Sequence, residues 1–408
     1  MNVIPHTIVL SDTTQMVRMS SSESWQLRSV GSLSEIELAA LESLAFEYGQ
    51  SPDSYLVIEP YRQCFLMADH TAAVSVLGSR RYLHISGGIL APVALRPCII
   101  NQLSQYATST NCIISCYAVS EFDRSMFETA GWEVTKFGET TSISLLNHTW
   151  SGKPYEWVRR QYNYCQRMGL KCREMTQHSM TIEAWKLLTE ELFEIQRDDL
   201  QHRIYAVEIN LLAGKLLPDL LGRRRLFIAE DSSSCIQGFV IANPMRGGSG
   251  WGLEMYRKRC AAPRGTVPFL IKWIIDEMKK EGIEEVSVCM LLWKGSSTFV
   301  GTRTSWIVRW GLVLAYELGN LIYNTKGMTH FKTRFRPELS NCYVCVTPKA
   351  TVLSCISFFR TVGAFRFSLQ NIARNCWNGL FRRSLGRHSA GEARCVIEDS
   401  NLQSQEGC

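Results

Sequence analysis

The hydrophobic and polar residues of this chain follow a pattern that occurs twice along its length. In each half, three strand patterns precede a helix with an apolar face, and a buried strand and a second helix follow. A chain of 408 residues also exceeds what one ordinary hydrophobic core supports. We therefore predict an α/β (α+β) protein with two tandem domains, each a mixed β-sheet flanked by helices.

The predicted elements of the two halves have the same order. In the first half, strands are predicted at 63–70, 72–78, 81–88, 112–120 and from 132, and helices at 92–107 and 123–131. In the second half, strands are predicted at 224–231, 235–244, 250–259 and 284–292, and helices at 267–282 and 305–319. A helix before the first strand begins with a capping-box pattern, Ser34 and Glu37. Its apolar face consists of Leu38, Leu41, Ala45 and Tyr48.

Composition divides the chain into six segments. Residues 1–33 are polar and predicted as a loose leader, and residues 388–408 as a disordered tail. The N-terminal domain is placed at 34–150, connecting helices at 151–220 and the C-terminal domain at 221–350. Residues 351–387 are predicted as a basic amphipathic helix, which suits either an anionic membrane surface or packing on the domain with its arginines in water.

The charge distribution and the cysteines indicate in which cellular compartment the protein is expected. The net charge is +6 and regional, since residues 339–391 contain one Lys, six Arg and no acid. The fifteen cysteines are odd in number and scattered, and no secretory pattern precedes them, so we expect reduced thiols and a cytoplasmic protein. No stretch reaches the ~18 apolar residues of a membrane span, which leaves a peripheral position at the inner membrane as the alternative. Four cysteines in apolar strand patterns are predicted as buried residues rather than zinc ligands: Cys112, Cys116, Cys342 and Cys345.

Three basic segments are candidates for binding anions. At the junction 254–270, a Gly precedes a helix among Arg257, Arg259 and Arg264, which suits a phosphate or a carboxylate, although an ordinary helix start is equally consistent. On the helix of 152–170, Arg160, Asn163 and Arg167 form one stripe that suits either solvent or a nucleic-acid backbone.

The third basic segment, 323–337, contains two Lys, two Arg and one His and no acid. We predict a short helix after Gly327 that ends by Pro337, with the aromatic side chains inward. The chain's histidines are dispersed and no Gly-x-Ser-x-Gly pattern occurs, so no metal site or serine or cysteine nucleophile is expected. Chemistry here would depend on positioning, proton transfer and charge stabilisation.

Residues 136–170, 254–270 and 323–338 together resemble the C-terminal domain of phosphatidylglycerol lysyltransferases, the catalytic domain of the multiple peptide resistance factors. The resemblance covers about residues 35–350, with three motifs in the family's order and spacing. It implies two tandem GNAT-like domains, an aminoacyl-tRNA co-substrate, no other cofactor and an acceptor such as a lipid headgroup hydroxyl. No pattern in the sequence indicates an oligomeric state.

The resemblance also implies site residues. Glu254, Arg257 and Lys332 are expected to be catalytic: Arg257 and Lys332, with Arg334, contact phosphates and the oxyanion, and Glu254 holds the aminoacyl ammonium or acts as a base. Further residues match the family's motifs or lie beside them and are expected to contact substrate or tRNA: Arg159, Arg160, Asn163, Arg167, Arg259, Gly265, Tyr323 and Arg334.

Two other functions stay open from the sequence. One is a GNAT-type N-acyltransferase that uses coenzyme A, although the pyrophosphate-binding pattern Gln/Arg-x-x-Gly-x-Gly/Ala does not occur. The other is a non-catalytic module that binds RNA or membrane, because the chain departs from the family at Pro268 and at 289–293.

Overall fold

A computed structural model of the chain describes residues 27–201, 213–298, 301, 303–322 and 325–363. The tail 388–408, most of the leader and the part of the C-terminal helix beyond residue 363 lie outside the described residues, as does Tyr323. The strands are β1 (Leu27–Ser29), β2 (Gln63–Leu66), β3 (Ala73–Ser79), β4 (Tyr82–Leu90), β5 (Ile113–Ser120), β6 (Glu133–Ser144), β7 (Lys171–Met175), β8 (Arg225–Glu230), β9 (Ile236–Met245), β10 (Gly250–Lys258), β11 (Glu285–Ser287), β12 (Leu291–Leu292) and β13 (Glu338–Thr347). The α-helices are α1 (Glu35–Tyr48), α2 (Arg96–Ser109), α3 (Glu121–Thr129), α4 (Glu156–Arg167), α5 (Ile182–Gln201), α6 (Thr266–Lys280), α7 (Trp306–Ile322), α8 (Thr325–Thr333) and α9 (Val352–Thr361).

The strands form one mixed sheet in which both halves have the same internal arrangement. Its order is β1-β2-β3-β4-β5-β13-β6-β11-β10-β9-β8-β7, with β12 beside β6. In the first half β4 is parallel to β5 across α2, and in the second half β10 is parallel to β11 across α6. The other ladders are antiparallel. The predicted mixed α/β class and the doubled order of elements are therefore confirmed.

Each half contributes a strand to the sheet of the other. Strand β13 follows the second half in the chain, yet it lies between β5 and β6 of the first half. Strand β6 in turn pairs through Ile143 and Ser144 with β11 of the second half. The apolar cores lie on both faces of this sheet, packed under the helices. The exact domain boundaries stay a prediction, because the sheet runs on without a break between the halves.

The N-terminal elements show one confirmed prediction and one correction. The Ser34 side chain accepts from the Glu37 N–H, and the Glu37 carboxylate accepts from the Ser34 N–H, so the capping box is present. Residues 27–33 are not part of a loose leader, because β1 pairs with β2 and Val30 is buried against α1 and its neighbours.

Two predicted elements in the second half differ in detail. The strand predicted at 284–292 is split into β11 and β12, since Cys289 between them has a positive φ of 65° that ends the extended backbone. The predicted helix after Gly327 begins earlier, at Thr325, and ends at Thr333 rather than at Pro337. Beyond it the chain turns, with Arg336 at a φ of 54°, while the Phe335 ring is fully buried beneath α4.

The chemistry of the cysteines agrees with the sequence. The twelve cysteines in the described part of the chain are free, and Cys112, Cys116, Cys342 and Cys345 are buried. Within those same residues, no cluster of His, Cys, Asp or Glu has the composition of a metal site. Among the described helices, none is both long and apolar enough to cross a bilayer.

Candidate active site

The candidate site lies where β10 and β11 separate. The two strands pair only over residues 250–252 and 285–287, and the register of β10 shifts between Leu253 and Met255. Glu254 occupies this bulge, which is a common device for aiming a side chain out of a regular ladder. The Glu254 side chain is therefore free of the regular alternation of β10, and its carboxylate lies beside Gly214.

Glu254 is half-buried and has polar surroundings. Its Oε1 atom accepts the Gly214 N–H at 2.7 Å. Burial raises the pKa of the Glu254 carboxyl, while the Gly214 N–H and the positive charge of Arg224 act in the opposite direction. The nearby Glu59 charge raises the pKa further, and that of Arg257 lowers it. A carboxylate in this setting can accept a proton near neutral pH more readily than an exposed one.

A buried ion cluster supports Glu254 from the first half of the chain. Glu59 is 1% exposed, and its carboxylate contacts Arg62 Nε at 3.3 Å and an Arg224 guanidinium nitrogen at 3.3 Å. It also accepts the Lys215 N–H at 3.1 Å. Because a Cβ on Gly214 would lie 2.6 Å from Glu59 Oε1 and 3.4 Å from Glu254 Oε2, both carboxylates converge on Gly214. Glu59 therefore joins the two halves of the chain directly behind Glu254.

Lys332 of α8 lies within electrostatic reach of Glu254. Its side chain is buried, and Nζ donates to the Met290 carbonyl at 2.9 Å, in the irregular segment between β11 and β12. Burial lowers the pKa of Lys332, whereas the neighbouring Cys289 and Glu254 raise it. Lys332 thus holds the irregular segment in place and brings a positive charge within electrostatic reach of Glu254.

The irregular segment itself adds a thiol to the site. Cys289 Sγ donates to the Leu253 carbonyl at 3.2 Å, so it bridges β11 and β10 at their point of separation. Burial raises the pKa of this thiol to about 12, with Lys332 acting against it. A thiol in that state is a weak nucleophile, which agrees with the absence of a cysteine-nucleophile pattern in the sequence.

Arg257 and Arg259 lie on one strand but have different neighbours. Arg257 pairs with Asp199 of α5 at 3.6 Å and is close enough to Glu254 to lower its pKa. Arg259 is directed to Glu191 of α5 at 2.9 Å and to the Ile236 carbonyl at 2.8 Å. Arg257 therefore belongs to the Glu254 site, while Arg259 connects the strand end to α5.

Gly265 does not form an open anion site at the start of α6. Helix α4 covers it: a Cβ on Gly265 would lie 2.8 Å from Cys165 Sγ and 3.1 Å from the Gln161 carbonyl. In the first turn of α6, the Thr266 N–H donates to the Pro263 carbonyl and Pro268 has no N–H. The helix start thus keeps few free donors, and the position serves close packing of two helices.

We expect Gly265→Ala to lower the free energy of unfolding by about 1–3 kcal/mol, because the added methyl group must separate α4 from α6. Urea unfolding followed by far-UV circular dichroism measures the change. Gly311→Ala on α7 is the matched control, since a Cβ there meets no atom within 4 Å and alanine favours the helix. Equal stability of the two variants would contradict close packing at Gly265.

Helix α4 packs against α8 and the residues that follow it, and both segments carry basic side chains. The Arg334 guanidinium lies 4.7 Å from the centre of the Trp157 ring, and the rings of Phe331 and Phe335 pack edge-on against Trp157. Arg336 approaches the Pro154 carbonyl at 3.5 Å. We define the α4–α8 surface by its polar residues, which are Arg160, Asn163, Gln166, Arg167, Arg334 and Arg336.

The predicted residues on α4 separate into two groups. Arg160, Asn163 and Arg167 are exposed and line a shallow depression, with Arg160 paired to Glu156 at 2.5 Å. Arg159 instead donates to the Gly152 carbonyl at 2.7 Å and to the Trp150 carbonyl, so it fixes the loop before the helix. Three of the four α4 residues are therefore available to a partner.

Arg257 and Lys332 both lie within electrostatic reach of Glu254, and Arg334 lies on the α4–α8 surface. Arg159, Arg259 and Gly265 have contacts within the fold instead. Glu59, Arg62 and Arg224 were not predicted as site residues. The sequence feature that could have indicated them is a pair of charged residues, at 59 and 62, directly before a buried strand.

Comparisons with known proteins identify the family of the chain. The family model described as phosphatidylglycerol lysyltransferase, C-terminal, matches residues 43–346, which is more than half of the chain. No curated protein sequence is significantly similar to this chain.

Several solved structures share the fold. The C-terminal domain of a putative lysylphosphatidylglycerol synthetase from Agrobacterium fabrum is 20% identical, with a TM-score of 0.66 over 82% of this chain and 98% of that one. The L-PGS structure from Bacillus licheniformis is also 20% identical, with a TM-score of 0.66 over 80% of this chain and 96% of that one. A protein of unknown function from Bacteroides thetaiotaomicron is 11% identical, with a TM-score of 0.51 over 79% of this chain and 99% of that one.

Proposed function

Because the chain belongs to the phosphatidylglycerol lysyltransferase C-terminal domain family, and is thereby an aminoacyltransferase, we propose that it transfers an aminoacyl group from aminoacyl-tRNA to a polar acceptor such as a phospholipid headgroup. The observation that carries this proposal is that the buried Lys332 of α8 lies within electrostatic reach of Glu254, while the basic residues Arg160 and Arg167 of α4 are exposed. A nucleic acid requires an exposed basic surface, and its attached ester requires a sheltered reaction centre.

The proposed reaction requires little covalent assistance from the protein, because the tRNA ester is already activated. The acceptor hydroxyl oxygen forms a bond to the aminoacyl carbonyl carbon, and the bond from that carbon to the tRNA ribose oxygen breaks. Glu254 takes the proton of the acceptor and returns it to the leaving ribose oxygen. Lys332 and Arg257 stabilise the negative charge that develops on the carbonyl oxygen.

Transfer from coenzyme A is less consistent with the site. A pyrophosphate at the start of α6 would need free N–H groups there, but α4 covers Gly265 and Pro268 lacks an N–H. Arg264 is exposed beside this junction and supplies charge without a backbone cradle. We therefore assign the donor to the α4–α8 surface rather than to the start of α6.

The test of this function is incubation of the purified chain with a pool of charged tRNAs and a lipid extract. We expect mass spectrometry to detect lipids whose mass increases by one aminoacyl residue, and uncharged tRNA to give none. Calorimetric binding of acetyl coenzyme A, together with no aminoacylated product, would overturn the proposal in favour of a coenzyme A-dependent transferase.

The α4–α8 surface leads to a separate prediction about how tRNA binding depends on salt concentration. We expect the double substitution Arg160→Gln/Arg167→Gln to weaken tRNA binding and to reduce the slope of log affinity against log salt by about two, because each phosphate contact contributes about one. Filter binding at several salt concentrations measures the slope. Arg173→Gln is the control, because Arg173 is 54% exposed on the far edge strand β7 and pairs with Glu230. An unchanged slope in the double variant would exclude this surface as the tRNA contact.

A further inference from the structure

Helix α7 has an apolar outer face as well as an apolar inner face. Val308 and Leu312 point inward and belong to the core on one face of the sheet. Trp306, Trp310 and Leu314 follow at i, i+4 and i+8 on the outer side, where they are 69%, 66% and 59% exposed. Large aromatic residues with so much exposure on one helix face mark a surface that binds something.

Helix α9 extends this surface. Its inner residue Phe358, and Val362 just after the helix, belong to the same core as Val308 and Leu312 of α7, so the two helices lie on the same face of the sheet. The outer residues of α9 are exposed by 59%, 57% and 47% for Val352, Leu353 and Ile356. We define the α7–α9 face as Trp306, Trp310, Leu314, Val352, Leu353 and Ile356.

Most of the charges around the α7–α9 face are positive, and the exposed acid of α7, Glu317 in its C-terminal half, pairs with Lys326 at 3.0 Å. Arg303 and Arg309 lie on or beside the first turns of α7, and Lys349 and Arg360 flank α9. Residues 303–316 and 348–363 contain no Asp or Glu. A symmetric pairing of two copies through this face would place basic groups against basic groups, so the charge favours an anionic partner over a second copy.

We propose that the α7–α9 face docks on the surface of a phospholipid bilayer that contains anionic headgroups. Tryptophan rings suit the boundary between headgroups and acyl chains, because the ring is apolar and its N–H is polar. Neighbouring Leu, Ile and Val side chains enter the acyl boundary, and the surrounding Lys and Arg contact lipid phosphates.

The α7–α9 face lies near the candidate reaction centre. The consequence of this proximity rests on the function proposed above. The Trp293 ring lies 6.3 Å from the Phe359 ring of α9. Trp293 closes the irregular segment whose Met290 carbonyl accepts from Lys332. Docking through α7 and α9 therefore brings the segment that lines the reaction centre close to the headgroups, where a lipid acceptor would be reached.

The test is co-sedimentation of the full chain with extruded vesicles of phosphatidylglycerol and phosphatidylcholine, or of phosphatidylcholine alone. We expect Trp306→Ser/Trp310→Ser to weaken binding to the anionic vesicles by about tenfold or more. Ile182→Ser/Leu187→Ser on α5 is the matched control, because these residues are 84% and 67% exposed on another helix. The control should bind as wild type, and both variants should keep the wild-type unfolding midpoint.

A second variant tests how much the basic residues contribute to vesicle binding. Lys349→Glu/Arg360→Glu should weaken binding to anionic vesicles by about tenfold or more and leave binding to phosphatidylcholine unchanged. Equal vesicle binding by wild type and the tryptophan variant would overturn the proposal, as would a wild-type dimer that the tryptophan variant dissociates. Transfer of the aminoacyl group to short-chain, water-soluble phosphatidylglycerol is measured for wild type and for the tryptophan variant. This assay tests the proposed function separately, because the soluble acceptor needs no vesicle.

Discussion

Glu254→Gln is expected to lower the rate of aminoacyl transfer by about 10²–10⁴-fold, the range that a positioned general base contributes. The amide keeps the size of the side chain and removes its ability to accept a proton. The bulge in β10 and the Gly214 N–H would continue to hold the side chain in its place beside Gly214. Steady-state transfer from a single purified aminoacyl-tRNA measures the effect.

The two roles considered for Glu254 have different kinetic consequences. If Glu254 is the base, kcat falls and KM for aminoacyl-tRNA stays near wild type. If it holds the aminoacyl ammonium instead, KM rises. The isosteric control is Glu174→Gln on the far edge strand β7, where the carboxylate pairs with Arg225 at 2.6 Å. A Glu254→Gln enzyme within about threefold of wild type in both constants would remove Glu254 from the mechanism.

The pH profile follows from the raised pKa of Glu254. A base must be ionised to act, and burial raises the pKa of this carboxyl above its ordinary value of 4.5. The wild-type rate should therefore fall as pH decreases through the raised pKa, at a higher pH than for an exposed glutamate. In Glu254→Gln this acidic limb should disappear from the residual rate.

The local elements of the fold could be predicted because their determinants are local. Alternating apolar residues identified most of the strands, and the capping box at Ser34 fixed the start of α1. The position of β13 between β5 and β6 could not be read in this way, since its apolar run would suit any buried place in the sheet. The pairing depends on contacts between residues that are 196 to 233 positions apart in the chain.

The site was predictable only in part for a related reason. Glu254 and Lys332 came from motifs that resemble a family, and they lie within electrostatic reach of each other. Gly265 came from the same source, but its surroundings depend on α4, whose packing no local pattern reports. Charged residues next to buried strands, such as Glu59 and Arg62, are usually exposed, and only the tertiary structure shows that Glu59 pairs with both Arg62 and Arg224 in the interior.

The burial of these charges leads to a prediction about stability. We expect Glu59→Gln to lower the free energy of unfolding by about 3–5 kcal/mol, because Arg62 and Arg224 would remain in the interior without their shared carboxylate. Urea unfolding measures this loss. Glu285→Gln is the control: its carboxylate contacts Arg246 at 2.5 Å near the surface, where a pair contributes about 0–1 kcal/mol. A loss of similar size in both variants would contradict a buried ion cluster.

Glu59→Gln should also change the pH dependence of the transfer rate. The Glu59 charge raises the pKa of Glu254, so its removal should shift the acidic limb of the transfer rate to lower pH in the folded enzyme. Replacing the whole cluster, as in Glu59→Leu/Arg62→Met/Arg224→Met, should cost less stability than Glu59→Gln alone, because neither arginine of the cluster stays buried without its carboxylate. The triple variant would also lose the Arg224 charge that lowers the pKa of Glu254. Recovery of stability without recovery of the wild-type pH profile would therefore show that these buried charges adjust the Glu254 carboxyl rather than stabilise the fold.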